Sequence, residues 1–143
     1  LRVRGRLPRG LPPGGRGRGR GPDNLAVGVA ALPDATLRGP HDLVYCVATL
    51  CFVEDVECAL RTLYDAVAPG GHLVVSYPDR RLREWVREQG EEKRAFFELV
   101  EDGENLLTPA EVRAVLGDVR DYWALAEDPP DRTGTVYVRR PAE

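Results

Sequence analysis

The side chains that could do chemistry in this 143-residue chain are few. Three cysteines, Cys46, Cys51 and Cys58, and two histidines, His41 and His72, are its only thiols and imidazoles. Such groups serve as nucleophiles, general bases or metal ligands. Their spacing supports none of these roles strongly. No C-x-x-C or H-x-x-x-H pair is present, so a zinc site has little support and no metal is expected. An odd number of cysteines argues against a disulfide framework, and buried thiols behave as small apolar residues. No acid/base dyad stands out, so no catalytic residue is assigned. Gly15, Gly17, Gly19 and Gly21 alternate in G-R-G-R-G-R-G. That spacing lets a backbone approach a nucleotide when a strand precedes it and a helix follows. Here neither flank carries the pattern.

The elements that must position any site centre on His41–Pro78. Leu43–Ala48 is a short apolar run, the pattern of a strand covered on both faces. Glu54 and Asp55 place negative charge at a helix start, and Val56, Ala59, Leu60, Leu63 and Val67 form one apolar stripe at helical spacing. Pro69-Gly70-Gly71 is expected to stop that helix, and His72–Tyr77 to form the next strand. The unit is therefore strand, helix, parallel strand. Downstream, Asp79 caps a helix carrying Leu82, Trp85 and Val86, which Gly90 can end. Glu91–Val100 reads as a further helix. Thr108-Pro109-Ala110-Glu111 is a capping box with Pro in the first turn, and Gly117 ends that helix. Val119–Ala126 and Thr133–Arg139 read as two closing strands.

These pieces resemble class I S-adenosylmethionine-dependent methyltransferases over roughly residues 25–140. The resemblance is carried by D-L-V at Asp42–Val44, by A-P-G-G-H-L-V-V-S at Ala68–Ser76, and by V-G-V-A-A-L-P at Val27–Pro33. The runs T-L-C-F-V-E-D at Thr49–Asp55, E-K-R-A-F-F-E-L and L-T-P-A-E-V resemble a branch acting on small molecules. The resemblance implies a mostly parallel α/β, partial Rossmann-like doubly wound sheet with an antiparallel last strand and its first strands missing. It implies S-adenosylmethionine as cofactor and a small-molecule methyl acceptor. It places cofactor contacts at Ala30, Ala31 and Leu32 beside the adenine, and at Cys46, Val47 and Ala48 at a strand end, where open α/β sheets bind ligands. Two positions depart from the pattern: Val29 replaces a frequent acid, and Phe52 stands where related enzymes often have a His. Phe52 is then core or pocket wall. Asp42 is expected to be structural. Tyr45, Tyr77 and Glu98 are within reach of a substrate in principle but are better explained as packing or surface. The stretch with Phe96 and Phe97 resembles an insertion that covers substrate in relatives, but aromatic residues at helical spacing are more often simple packing, and packing is the favoured expectation.

Composition bounds the alternatives. The net charge of −3 hides an asymmetry: residues 1–22 hold seven arginines and no acid, and the other 121 residues hold 13 basic and 23 acidic side chains. The body should not bind nucleic acid through bulk charge. No run approaches the ~18–20 apolar residues of a membrane span, no apolar segment follows the basic start, and a cytoplasmic location is the default. Residues 1–24, rich in Arg, Gly and Pro, are expected to be disordered, and 25–143 to form the C-terminal part of a methyltransferase domain. Since this is where the cofactor loop belongs, the expectation is a truncated or frame-shifted N-terminus, with weak or no cofactor binding. A second reading is a non-catalytic methyltransferase-like subunit, with a protein partner covering the exposed sheet edge and an RG-rich tail over 1–22 that binds nucleic acid. A third, another Rossmann-type enzyme such as a dehydrogenase, is disfavoured by the Pro-Gly-Gly turn and the antiparallel last strand.

Overall fold

The computed structural model describes residues 30–37, 39–128 and 134–142. The segment 1–24, its glycine spacing, Val27–Val29 and Thr133 lie outside the described residues. The chain forms β1 (His41–Cys46), a 3-10 turn (Leu50–Phe52), α1 (Val56–Asp65) and β2 (Val67–Tyr77). Then follow α2 (Arg80–Arg87), α3 (Glu91–Phe96), α4 (Glu98–Asp102), α5 (Pro109–Leu116), β3 (Arg120–Asp121), a second 3-10 turn (Tyr122–Leu125) and β4 (Gly134–Arg139).

The described strands form one sheet in the order β1-β2-β4-β3. β1 pairs parallel with β2, and β4 runs antiparallel to both β2 and β3. This is the expected α/β sheet with an antiparallel last strand, a partial Rossmann-like fold. Side-chain alternation sends Val44 and Cys46, Leu73, Val75 and Tyr77, and Val136 and Val138 to one face. There they meet Val56, Ala59, Leu60 and Leu63 of α1 and Val112 and Leu116 of α5. Each fully buried Val or Leu contributes roughly 1.5–3 kcal/mol, so this layer dominates the stability. A smaller cluster joins Cys51 to Leu82 and Val86 of α2 and Val100 of α4.

The helix caps follow the sequence. Asp55 accepts from the Cys58 N–H at 2.9 Å and Asp79 from the Leu82 N–H at 2.9 Å. The Thr108–Glu111 capping box is complete, and the bonds from Thr108 hold the Glu111 carboxyl below its ordinary pKa.

Several expectations need correction. The first strand is not covered on both faces: β2 is its one neighbour among the described residues, and Leu43 and Tyr45 are 59% and 56% exposed. Pro69-Gly70-Gly71 does not stop the helix. α1 already ends at Asp65 with Ala66 as its cap, and β2 begins at Val67. The Pro-Gly-Gly run lies inside β2, opposite a register shift between His41 and Leu43 of β1. An irregularity of this kind accommodates a proline that has no N–H for the ladder. Gly90 is the residue before α3 rather than the end of α2. The helix expected over Glu91–Val100 breaks at Phe97 (φ −102°, ψ 39°), which turns its ring into an aromatic cluster. The strand expected over Val119–Ala126 shrinks to Arg120–Asp121, because the Asp121 carboxylate accepts from the Trp123 N–H at 3.0 Å and starts a 3-10 turn.

Arg140 locks the far end of the unit. Its guanidinium donates to the carbonyls of Tyr64 (3.4 Å), Asp65 (3.2 Å) and Val67 (2.7 Å), where the helix dipole favours a cation. Its own N–H reaches the Gly71 carbonyl at 2.9 Å. At Gly71 a Cβ would lie 2.9 Å from the carbonyl oxygens of both Asp42 and Ala68 and 3.0 Å from Val67 Cγ1. The substitution Gly71→Ala is therefore expected to force β2 away from β1 and lower stability by about 1–3 kcal/mol in urea unfolding. An unchanged midpoint would show that the two strands are not held this close.

Candidate functional site

The strand β1 delivers Cys46, Val47 and Ala48 to the end of the sheet where ligands sit in open α/β folds. Cys46 and Val47 are half-buried and Ala48 is exposed. Ala48 has φ 57°, the only non-glycine residue with positive φ among the described residues. That conformation costs a residue with a Cβ about 1–2 kcal/mol. The neighbouring strand offsets it: the buried Ser76 Oγ accepts from the Ala48 N–H at 2.7 Å. The turn that follows is held at several further points. Thr49 Oγ1 donates to the Val47 carbonyl at 3.2 Å, and Cys51 Sγ to the Ala48 carbonyl at 3.7 Å. Leu50 is buried in the main core. Asn105, itself 3% exposed, donates from Nδ2 to the carbonyls of Val53 (2.9 Å), Cys51 (3.1 Å) and Leu50 (3.5 Å). A single buried amide thus ties the loop after α4 to the turn leaving β1.

The other expected contacts lie elsewhere. Ala30 and Ala31 are exposed, and Leu32 packs half-buried against the main core. Thr62 Oγ1 donates to the Pro33 carbonyl at 3.0 Å, which anchors this segment beside the later half of α1. Tyr77 is buried in the core, with its pKa raised chiefly by burial. Tyr45 stands exposed, edge-on to Tyr122 at 6.3 Å. Glu98 is exposed at the start of α4. Phe52 is half-buried, packs against the smaller core cluster with Trp85, and meets the rings of Phe96 and Phe97. Sequence reasoning missed Ser76 and Asn105. A lone serine in an apolar strand was the only signal for the first, and nothing local marks the second.

The chemistry of the strand exit is small and neutral. Burial raises the Cys46 thiol pKa, with the Thr49 hydrogen bond opposing, and pushes Cys51 up to about 11. Neither is a thiolate nucleophile at neutral pH. Among the described residues no group of three or more His, Cys, Asp or Glu side chains is placed to hold a metal, and no helix is long and apolar enough to cross a membrane. Cys46, Val47 and Ala48 are short, uncharged and partly open, so they fit one wall of a site for a flat, partly apolar cofactor. A bulky or charged exit would not.

Two outcomes check this geometry. Ser76→Ala leaves the Ala48 N–H without its acceptor, and is expected to lower stability by about 1–3 kcal/mol and to shift the amide resonances of 47–51. Shifts confined to β2 would show that the strand exit does not depend on Ser76. Iodoacetamide at pH 8 is expected to modify exposed Cys58 first and Cys51 last, because a thiol with pKa about 11 is only ~0.1% ionised there. Equal rates, read by mass spectrometry, would mean that the turn opens freely.

The profile of a methyltransferase domain family matches residues 17–122. No curated protein matches the sequence. Among solved structures, a possible exported protein of Bordetella parapertussis is 24% identical, with a TM-score of 0.46 over 73% of this chain and 40% of its own. The N-methyltransferase NodS of Bradyrhizobium japonicum, solved with S-adenosyl-L-homocysteine, is 16% identical, with a TM-score of 0.44 over 76% of this chain and 50% of its own. The S-adenosylmethionine-dependent methyltransferase SibL, solved without ligand, is 22% identical, with a TM-score of 0.43 over 76% of this chain and 33% of its own. The chain spans half or less of the length of these three structures. The family profile covers most of the chain, including β1, the turn after it and β2, and the chain belongs to the S-adenosylmethionine-dependent methyltransferase family.

Proposed function

We propose that this chain takes part in methyl transfer from S-adenosylmethionine to a small molecule, with Cys46, Val47 and Ala48 forming one wall of the cofactor site. The observation that carries this reading is the strand exit, where Ala48 is kept left-handed by Ser76 and the turn is stapled by Asn105. A fixed, small-residue exit suits a reaction that depends on alignment. When bound, the cofactor supplies a methyl group already activated on a sulfonium, so no strong base is required of the protein. The residues here orient and enclose. The buried Leu50 and Cys51 fix the turn, and Phe52 turns an aromatic face toward α3 and α4. A neutral Cys46 and Cys51 add no competing nucleophile.

A second reading is favoured by the exposed Leu43 and Tyr45 on β1, whose outer edge has no strand partner among the described residues. In that reading a protein partner covers the edge, and the chain is a non-catalytic subunit.

Equilibrium dialysis with labelled S-adenosylmethionine separates the two. Because the described residues supply only one wall, a Kd of roughly 0.1–1 mM is expected. S-adenosyl-L-homocysteine should compete, and Ala48→Trp should weaken binding by about ten-fold or more. No saturable binding at several millimolar would remove the catalytic reading for this chain and leave the subunit reading.

A further inference from the structure

We infer that the acidic cleft at the start of α1 binds an alkyl guanidinium, a site independent of the methyl-transfer reading above. The cleft has a volume of about 300 Å³ and lies between Glu54–Glu57 and Glu104–Leu107, the latter on the loop from α4 to α5. The helix explains part of its charge. Asp55 caps α1 through the Cys58 N–H, and Glu57 pairs with Arg61 at 2.6 Å one turn on. Acids at a helix start also balance the dipole.

Three acceptors are left over. Glu54 and Glu104 are exposed carboxylates whose side chains have no ion pair or hydrogen bond among the described residues. The third is Oδ1 of Asn105. This side chain lines the cleft yet is only 3% exposed, and its Nδ2 is spent on the carbonyls of Leu50, Cys51 and Val53. Its Oδ1 is buried and accepts no hydrogen bond among the described residues. A buried acceptor without a donor is costly. A water would supply the proton but no charge for the two carboxylates; a cationic N–H donor supplies both.

The shape of that donor follows from the walls. Among the described residues no group of three or more His, Cys, Asp or Glu side chains is placed to hold a metal, so these oxygens are too widely spread for one ion. A guanidinium presents five N–H groups in a planar fork, and can meet a carboxylate on one edge and an amide oxygen on another. Buried Val56 and half-buried Leu106 and Leu107 give an apolar wall that an alkyl stem covers. The volume is at the small end of ligand sites, the size of a single head group on a short stem. Outside residues 1–22 the chain holds 13 basic and 23 acidic side chains, a field that draws cations in.

The test titrates the full chain with n-butylguanidinium and with its neutral counterpart n-butylurea, read by amide chemical shifts. The expected result is saturable binding of n-butylguanidinium about ten-fold tighter than n-butylurea, with shifts over 54–57 and 104–107 and in the Asn105 side-chain amide. Glu104→Gln should weaken it about three-fold and leave the unfolding midpoint unchanged, because Glu104 is exposed. Glu88→Gln, which removes an exposed carboxylate outside the cleft, should leave the affinity unchanged. Asn105 is left intact because it also holds the turn after β1. Equal affinity for the two probes, shifts elsewhere, an unaffected Glu104→Gln variant, or equal weakening by Glu88→Gln would overturn the inference. The guanidinium has two sources, a free molecule or the seven arginines of residues 1–22. Changing those arginines to Gln separates them, and either result upholds the site: unchanged affinity assigns a free molecule, and tighter binding shows that the chain's own arginines compete for the cleft.

Discussion

The hydrogen bond from the Ala48 N–H to Ser76 Oγ is the contact on which the turn leaving β1 depends. A chain leaving a strand normally continues extended, and a left-handed turn at a residue with a Cβ is costly. Here the adjacent parallel strand supplies the acceptor at the one point where β1 must bend. The bend brings Leu50 into the core and aims Phe52 at the aromatic cluster. Asn105 then fixes the same turn from the other side, through three backbone carbonyls. Loop position is thereby set by two buried polar side chains, each of which would be destabilising without its partners.

The same economy holds at the opposite end of the βαβ unit. Three glycine-dependent or cation-dependent contacts meet there: the tight approach of Gly71 to Asp42, the left-handed Gly70, and Arg140 on the last carbonyls of α1. Together they let a Pro-Gly-Gly run sit inside a strand. The last strand is therefore structural in a specific sense: Arg140, just beyond β4, satisfies the end of α1 and pairs with Gly71.

The two faces of the sheet differ in consequence. One is closed by α1 and α5 around Leu60, Leu73, Val75 and Val112. The other carries Tyr45, half-open and touching Tyr122. The larger buried cluster therefore lies on the α1 and α5 side, while on the other face Tyr45 keeps an exposed ring beside buried Val74 and Thr135.

Local periodicity and short-range hydrogen bonds made the strand–helix–strand unit, the acidic helix start at Glu54 and Asp55, and the caps at Asp79 and Thr108 legible from the residues alone, and the order of the motifs pointed to the family. The sequence also placed Cys46, Val47 and Ala48 at a strand end. Where the Pro-Gly-Gly run falls, the break at Phe97 of the helix after Gly90, and the two-residue length of the strand after Val119 became visible in the folded chain and not before. The fold also revealed Ser76 and Asn105 as the groups that hold the turn leaving β1. Their partners lie 28 and more than 50 residues away, and a contact at that separation leaves no period or spacing in the chain for a reader to find.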